Sequence, residues 1–254
     1  MVFDSILTRR RAKLAAGDLV EIDGRPVRLR VHASARRVSL RLDVARREVV
    51  ATAPSARRLE DALAFARSRS VWIAARLDAL PEPAAFVPGR IVSLVGEPCR
   101  LERAAMRIAP RLIAATADEP ARLLAYGEGA GFARAVERGL KAEALRVLSE
   151  RTAVHAAALG QPMPQVAVMD AKARWGSCTP ARGGQGARIR YVWRLIMAPS
   201  FVADYVAAHE CAHLVEANHG PRFWAQVARL YGEPAPARAW LKRHGPRLQA
   251  AGGA

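Results

Sequence analysis

The first part of the chain alternates apolar and polar residues in short runs. The segments VRLRVH and RVSLRLDV place an apolar side chain at every second position, and EVVATAP closes the set. Because successive side chains of a β-strand point to opposite faces, this alternation predicts a small sheet over residues 21–54. Residues 57–80 change to helical spacing and predict one amphipathic helix, which the segment PEPAAFVPG ends.

A turn-rich segment, DEPARLLAYGEGAG around residues 118–131, is predicted to divide the chain. Before it, the segments IVSLVGEPCRLER and RIAPRLIAAT predict a further pair of strands. The sequence therefore predicts an α+β protein. Its first domain is a β-rich region at residues 1–125 that includes the amphipathic helix, and its second domain spans residues 126–250.

Longer helices and a short sheet are predicted beyond this turn. The segment FARAVERGLKAEALRVLSERTAVHAAALG predicts one long helix or two joined helices. GSCTPARGGQGARIRYVWRLIMAP predicts two strands around a glycine-rich turn, and Pro199 ends the second strand. Ser200 is a favourable N-cap for a helix that carries FVADYVAAHECAHLVEA, with Tyr205 among its core-facing residues.

Two histidines on this last helix are spaced for metal binding. His209 and His213 lie four positions apart, so their imidazoles share one helix face and can converge on one cation. Glu210 follows the first histidine, and HExxH on a helix is the pattern in which two histidines bind zinc and the glutamate is the general base. The sequence therefore predicts a metal site on this helix.

A third histidine lies beyond the predicted end of the helix. His219 precedes Gly220, where the chain can turn back towards the first two histidines. Three protein ligands with one open position describe a catalytic zinc site. Zinc is favoured, while nickel, manganese and iron stay open on ligand type alone. The alternative is a chance HExxH match, which the clustering of three histidines within eleven residues makes a poor explanation.

Composition and charge indicate which cellular compartment and which binding partners to expect. The 254 residues contain no uninterrupted apolar run approaching about 18 residues, the length of a membrane span, and begin with no secretory signal pattern, so a cytoplasmic protein without a membrane partner is expected. Three widely spaced cysteines favour reduced thiols. The net charge of +17 makes nucleic acid a candidate partner, although 36 of the 40 basic residues are arginine, which coding bias can also explain.

The carboxy-terminal half resembles the YgjP-like metallopeptidase family, relatives of the SprT-like zinc metalloproteases. Four blocks carry the resemblance in order and spacing: RWGSC at 174–178, WRLIMAP at 193–199, DYVAAHE at 204–210 and NHGPRFW at 218–224. Upstream, VVATAP and VWIAARL resemble the family more weakly. Cys211 departs from the leucine that the family usually has, at a position that is not a ligand.

The resemblance implies a zincin-like catalytic domain with an HExxH active-site helix. It also implies that His209, His213 and His219 bind the metal, normally zinc, and that Glu210 is the catalytic glutamate. The spacing argument and the resemblance therefore lead to the same four residues.

The resemblance leaves the substrate open. A metallopeptidase is the main hypothesis, but metal-dependent hydrolysis of nucleotides has also been attributed to this group, so a UTP-type nucleoside triphosphate pyrophosphatase is the alternative. Polyphosphate chemistry needs several cations. Five arginines lie in or beside the matched blocks: Arg174, Arg188, Arg190, Arg194 and Arg222. A non-catalytic metal or nucleic-acid binding module is the third alternative, and Glu210 would be dispensable in it.

Arg174 and Arg194 are the predicted catalytic arginines. Both stand inside a matched block beside a tryptophan, where a guanidinium could steady the negative charge that develops during hydrolysis. The alternative for each is a solvated or ion-paired arginine, the common case in a chain with so many.

Other residues of the blocks have structural interpretations. Trp175, Trp193 and Trp224 are predicted to pack in the core rather than to stack on a base. Cys178 is predicted to be a buried thiol. Glu216 lies on the ligand face, where it would either hydrogen-bond an imidazole or face the solvent.

Overall fold

The described part of the chain combines several small sheets with six α-helices, which confirms the α+β class. A computed structural model describes residues 14–43, 46–80, 85–172 and 174–252. The chain divides into two compact units, Met1–Leu80 and Pro81–Ala254. Within the described ranges, no helix is both long enough and apolar enough to cross a bilayer.

The first unit contains the predicted small sheet. Its strands are β1 (Leu19–Ile22), β2 (Arg25–Val31), β3 (Ser39–Asp43) and β4 (Glu48–Ala53), in the order β1-β2-β4-β3. The central strands β2 and β4 are parallel and bring Val27 against Val49 and Leu29 against Ala51. All four side chains are fully buried. The alternation of the sequence therefore marks the face that packs on the helices of this unit.

Two short helices occupy the segment where one amphipathic helix was predicted. They are α1 (Leu59–Arg67) and α2 (Ser70–Asp78), and a 3-10 helix at Ala56–Arg58 precedes them. The hydroxyl of Ser68 donates to the carbonyl of Phe65 at 2.8 Å, immediately after the last residue of α1. Such a bond competes with the helical pattern, so the prediction of one continuous helix was wrong at this point.

The second unit begins with a second four-stranded sheet. Its strands are β5 (Ile91–Leu94), β6 (Glu97–Arg103), β7 (Arg111–Ile113) and β8 (Ala121–Ala125), in the order β5-β6-β8-β7. The helix α3 (Gly129–Ala158) follows as one continuous helix and shares a hydrophobic core with this sheet. The unit division therefore differs from the boundary predicted between residues 125 and 126.

Gly127 sets the local geometry of the turn-rich segment. Its φ of 133° suits glycine, and a Cβ there would lie 2.9 Å from backbone atoms of Gly131 and Phe132. The segment is therefore a tight turn that leads from β8 directly onto α3, rather than a linker between domains.

A three-stranded sheet and a 3-10 helix follow α3 along the chain. The strands β9 (Gln165–Met169), β10 (Gly176–Thr179) and β11 (Arg188–Val192) have the order β10-β11-β9. The predicted second strand, expected to run to Pro199, ends at Val192, and a buried 3-10 helix covers Trp193–Met197. A continuous apolar run fits a buried strand and a buried helix equally well, which explains the error.

Three helices complete the fold: α4 (Ser200–Ala212), α5 (Pro221–Tyr231) and α6 (Ala235–Ala250). Ser200 is the first residue of α4, and its side chain makes no capping bond; instead its hydroxyl accepts from Arg151 Nη2 at 3.0 Å. Asp204, a residue of α4, accepts a hydrogen bond from Arg151 and lies 3.0 Å from His155 Nε2. These contacts from α3 fix the orientation of α4.

Candidate metal centre

The end of α4 and the loop after it carry the three histidines, which we call the histidine cluster: His209, His213 and His219. His209 lies in the last turn of α4, and His213 directly follows the last residue of the helix. His219 lies in the loop before Pro221, where α5 begins. A proline suits the first position of a helix, so α5 starts immediately after the third histidine.

The three imidazoles converge. One ring nitrogen from each histidine can be chosen so that all three atoms lie within 4.8 Å of one another. The Nε2 atoms of His209 and His219 are 3.2 Å apart. Two nitrogens bound to a tetrahedral zinc at about 2.0–2.1 Å would lie about 3.3–3.4 Å apart. The geometry of the cluster therefore fits the coordination sphere of such a metal.

The outer side of His213 is held by the backbone. Its Nδ1 donates to the carbonyl of Glu216 at 3.0 Å, which leaves Nε2 deprotonated and available as a ligand atom. The carboxylate of Glu216 instead pairs with Arg222 at 3.2 Å. Glu216 therefore does hydrogen-bond an imidazole, which was one of the two predicted alternatives. The bond comes from its main-chain carbonyl and not from its carboxylate.

Phe223 packs against the whole histidine cluster. Its ring centroid is 4.9 Å from that of His209, 4.5 Å from His213 and 4.6 Å from His219.

Burial, with the charges of His213, His219 and Arg238, lowers the pKa of His209 to about 4. The imidazole is therefore neutral near pH 7, which is the form that binds a metal.

Glu210 points from α4 into a nearly dry environment. It is only 6% exposed, and burial raises its pKa to about 7, although the charge of Arg174 acts in the opposite direction. A carboxylate with a pKa near the working pH can both accept and return a proton. Glu210 therefore has the properties of a general base.

Gly176 makes room for this carboxylate. A Cβ on Gly176, the first residue of β10, would lie 2.6 Å from Glu210 Cδ and Cγ. Contacts this short are essentially never found for a Cβ, so a side chain at position 176 would force the Glu210 carboxylate to shift. Sequence reasoning missed this role, although Gly176 lies inside the RWGSC block.

We expect Gly176→Ala to lower hydrolysis by about 100-fold or more while metal content stays unchanged, because a displacement of roughly 1 Å at a catalytic group can cost that much. The measurement is turnover together with metal content. Gly186→Ala is the matched control, since a Cβ at Gly186 meets nothing within 4 Å. Wild-type turnover in Gly176→Ala would show that the position of Glu210 does not matter.

The histidine cluster and Glu210 border one cavity of about 670 Å³, which we call the histidine cavity. Segment 174–178, running from Arg174 into β10, forms part of its lining, and Tyr205, Arg238 and Leu241 contribute from α4 and α6. The cavity is large enough for several residues of an extended peptide or for a small molecule.

Only one of the five arginines near the motif blocks lines the histidine cavity. Arg174 does, and it has no hydrogen-bond or ion-pair partner among the described residues. Arg188 instead donates to Gln165, and Arg222 pairs with Glu216. The concentration of cations that the sequence suggested is therefore not present at the cavity.

Arg194, the second predicted catalytic arginine, lies elsewhere. It is buried, donates from Nη1 to Asp170 at 2.6 Å and from Nε to the carbonyl of Ala251 at 3.0 Å, and stacks on the ring of Trp193. It does not line the histidine cavity. Its donors are used to attach the end of α6 to the core, so the structure gives no support to its predicted role in charge stabilisation.

Two residues of the histidine cavity were not singled out from the sequence. Tyr205 was assigned to the core, and it is buried, but it also lines the cavity, with its ring edge-on to His209 at 5.8 Å between centroids. Burial raises the pKa of its phenol, which is therefore a hydrogen-bond donor at neutral pH. Its spacing of four residues before His209 could have identified it. Arg238, on α6, lies in no motif block, so nothing local in the sequence distinguishes it.

The three tryptophans of the blocks pack as predicted, whereas Cys178 does not. Trp193 is fully buried, and Trp175 and Trp224 pack partly buried against the same core. Cys178 differs from the predicted buried thiol, because it is half-buried and lines the histidine cavity; burial raises its pKa to about 12, so its thiol is protonated near pH 7.

A buried glutamate beside three convergent imidazoles, in an α+β fold, is an arrangement typical of metal-dependent hydrolases. The sequence model of the YgjP-like metallopeptidase domain matches residues 36–244, which is most of the chain. The chain therefore belongs to the YgjP-like metallopeptidase family. Searches of curated proteins and of solved structures found no significant match.

Proposed function

We propose that the protein is a zinc-dependent metallopeptidase in which His209, His213 and His219 hold the metal and Glu210 is the general base. The observation that carries the proposal is the convergence of the three histidine nitrogens within 4.8 Å, beside a cavity that also contains Glu210. Membership of a metallopeptidase family supports a hydrolase. Three nitrogen ligands with an open fourth position are typical of catalytic zinc.

The mechanism assigns proton transfer to Glu210. Zinc, when bound, activates a water molecule by lowering its pKa towards about 7 and polarises the substrate carbonyl. Glu210 follows His209 on α4, so its carboxylate borders the same space and can take the proton of the attacking water. The same carboxyl group then returns the proton to the nitrogen of the leaving amine.

Arg174 and Tyr205 are proposed to hold the charge that develops on the carbonyl oxygen. Arg174 lines the histidine cavity, has no partner among the described residues and acts electrostatically on Glu210. Tyr205 presents a protonated phenol from α4. Donors of these two kinds stabilise an oxyanion when they are positioned before the reaction. Arg194 is left out of this proposal because its donors are already bonded within the core.

The other two function classes have less support. A nucleoside triphosphate pyrophosphatase needs several cations around the phosphates, and Arg174 and Arg238 are the only arginines among the described residues lining the histidine cavity. A non-catalytic binding module would not need Glu210. The burial of Glu210 and its close packing against Gly176 therefore favour an enzyme.

The proposal predicts hydrolysis of peptide bonds. Zinc-loaded protein should cleave casein, chelation should remove the activity and added zinc should restore it. The same sample should release no phosphate or pyrophosphate from a panel of nucleoside triphosphates. Release from UTP with casein left intact would contradict the peptidase and favour the nucleotide alternative.

A further inference from the structure

We propose that Arg238 binds a carboxylate of the peptide substrate, so that the enzyme prefers peptides with an acidic group near the cleaved bond. The inference rests on the proposed peptidase function and adds a substrate class to it. It concerns a specificity-determining residue on α6, outside every motif block of the sequence.

Arg238 is exposed in the histidine cavity and uncommitted. It belongs to the first turn of α6, lines the cavity and has no carboxylate within ion-pair distance in the described part of the chain. Arg151, Arg194 and Arg222, also in the second unit, each pair with an aspartate or a glutamate. Arg238 therefore offers a complete set of donors to a ligand.

The guanidinium of Arg238 is held in place without using those donors. Its Cζ lies 5.3 Å from the centroid of the Trp224 ring, in a cation–π contact. Stacking on an aromatic face leaves the N–H groups at the guanidinium edge free, and that edge matches a carboxylate bidentately. The arrangement restricts the rotamers of a long side chain before the substrate arrives, which reduces the entropy cost of binding.

Arg238 lines the same cavity as the histidine cluster and Glu210. Its charge is one of the influences that, after burial and the two neighbouring histidines, lower the pKa of His209. It also acts on Tyr205, where burial is the larger influence. Arg174 acts in the same way on Glu210. Both arginines therefore line the cavity in which hydrolysis is proposed to occur.

The charge balance of the histidine cavity favours an acidic substrate. In its described lining, Arg174 and Arg238 are the only arginines or lysines, and Glu210 is the only carboxylate. Arg174 is assigned to the oxyanion that develops during the reaction. Arg238 is then the remaining cation, available to bind a negatively charged group that the substrate carries before it reacts. One stacked guanidinium suits one carboxylate, whereas a polyphosphate requires a denser set of cations.

The test separates binding from cleavage. Zinc-loaded Glu210→Gln protein is titrated by calorimetry with unlabelled octapeptides of alanine and leucine, in which one Asp occupies each position in turn, the N terminus is acetylated and the C terminus is amidated. Matched peptides carry Asn in place of Asp, and a third set has no Asp but a free C-terminal carboxylate. These arms distinguish a side-chain carboxylate from a terminal one.

We expect at least one acidic peptide to bind about 3- to 5-fold more tightly than its neutral counterpart, which corresponds to roughly 0.7 to 1 kcal/mol, the upper part of the range for an exposed charge pair. Adding Arg238→Ala should abolish the difference, and Arg238→Lys should restore part of it. Arg243→Ala is the matched control, because Arg243 is an exposed arginine of the same helix that does not line the histidine cavity. It should leave the preference unchanged.

Three results would overturn the inference: equal binding of acidic and neutral peptides, including no detectable binding of either; a preference that survives Arg238→Ala; or UTP binding that depends on Arg238 and exceeds that of every peptide. Failure of the peptidase proposal has a different signature. Casein left intact by wild-type protein, with the Arg238-dependent preference present, would argue against peptide hydrolysis while the carboxylate site stands.

Discussion

Glu210→Gln should reduce peptide hydrolysis by about 100- to 10,000-fold, the range attributed to a positioned general base, while metal content and fold stay unchanged. Glutamine has nearly the same shape as glutamate, so it fits beside Gly176, but its amide cannot accept the proton of the attacking water. The metal is proposed to bind through the three histidines, and Glu210 is not one of them. Loss of turnover with retention of metal is therefore the expected pair of results.

The control for this substitution is Glu150→Gln. Glu150 is exposed on α3, pairs with Arg146 at 2.7 Å and does not line the histidine cavity. It should retain wild-type turnover and metal. Turnover unchanged in Glu210→Gln would remove Glu210 from the mechanism and leave the histidine cluster as a metal site without this base.

His213→Ala should lose both the metal and the activity. The imidazole of His213 is oriented by its hydrogen bond to the Glu216 carbonyl, which leaves Nε2 as the nitrogen available to bind the metal. Losing only the partner of a ligand typically weakens metal binding about 10- to 100-fold, and losing the ligand itself should cost more than about 100-fold. Zinc affinity measured by competition with a chromogenic chelator gives the number directly.

His244→Ala is the matched control for the histidine substitution. His244 stacks on Trp240 at 4.8 Å between centroids and is not part of the histidine cluster. It should bind zinc as tightly as the wild type does. Equal zinc affinity in His213→Ala and the wild type would show that the metal, if any, is bound elsewhere.

The parts of the site that could be predicted from sequence are the local ones. His209, Glu210 and His213 are close because four residues make about one helical turn, and this holds wherever the helix lies. The strands of the first unit were predictable for a similar reason, since the alternation of apolar residues reports which face is buried. The HExxH pattern and the family blocks could therefore identify the chemistry without any tertiary information.

The parts that could not be predicted depend on contacts between distant segments. Gly176 and Glu210 are 34 positions apart in sequence, and only the packing of β10 beside α4 shows why a glycine is needed. Arg238 reaches the histidine cavity from α6, and Arg194 is withdrawn from it by its bonds to Asp170 and Ala251. Residue type and neighbouring residues do not distinguish these two arginines, because their difference is entirely one of position in the fold.

The boundary predicted between residues 125 and 126 illustrates the same limit. The glycines near residue 127 signalled a change of direction, which is correct locally, but the strand before this turn and the helix after it share one core. A turn signal reports the local backbone and carries no information on whether the flanking elements pack together.

The metal content of purified wild-type protein shows whether the histidine cluster is a metal centre. Elemental analysis by mass spectrometry should find about one zinc per chain, in line with a single site of three histidine ligands. A wild-type protein that holds no divalent metal, and that binds no added zinc after complete chelation and dialysis, would contradict the account.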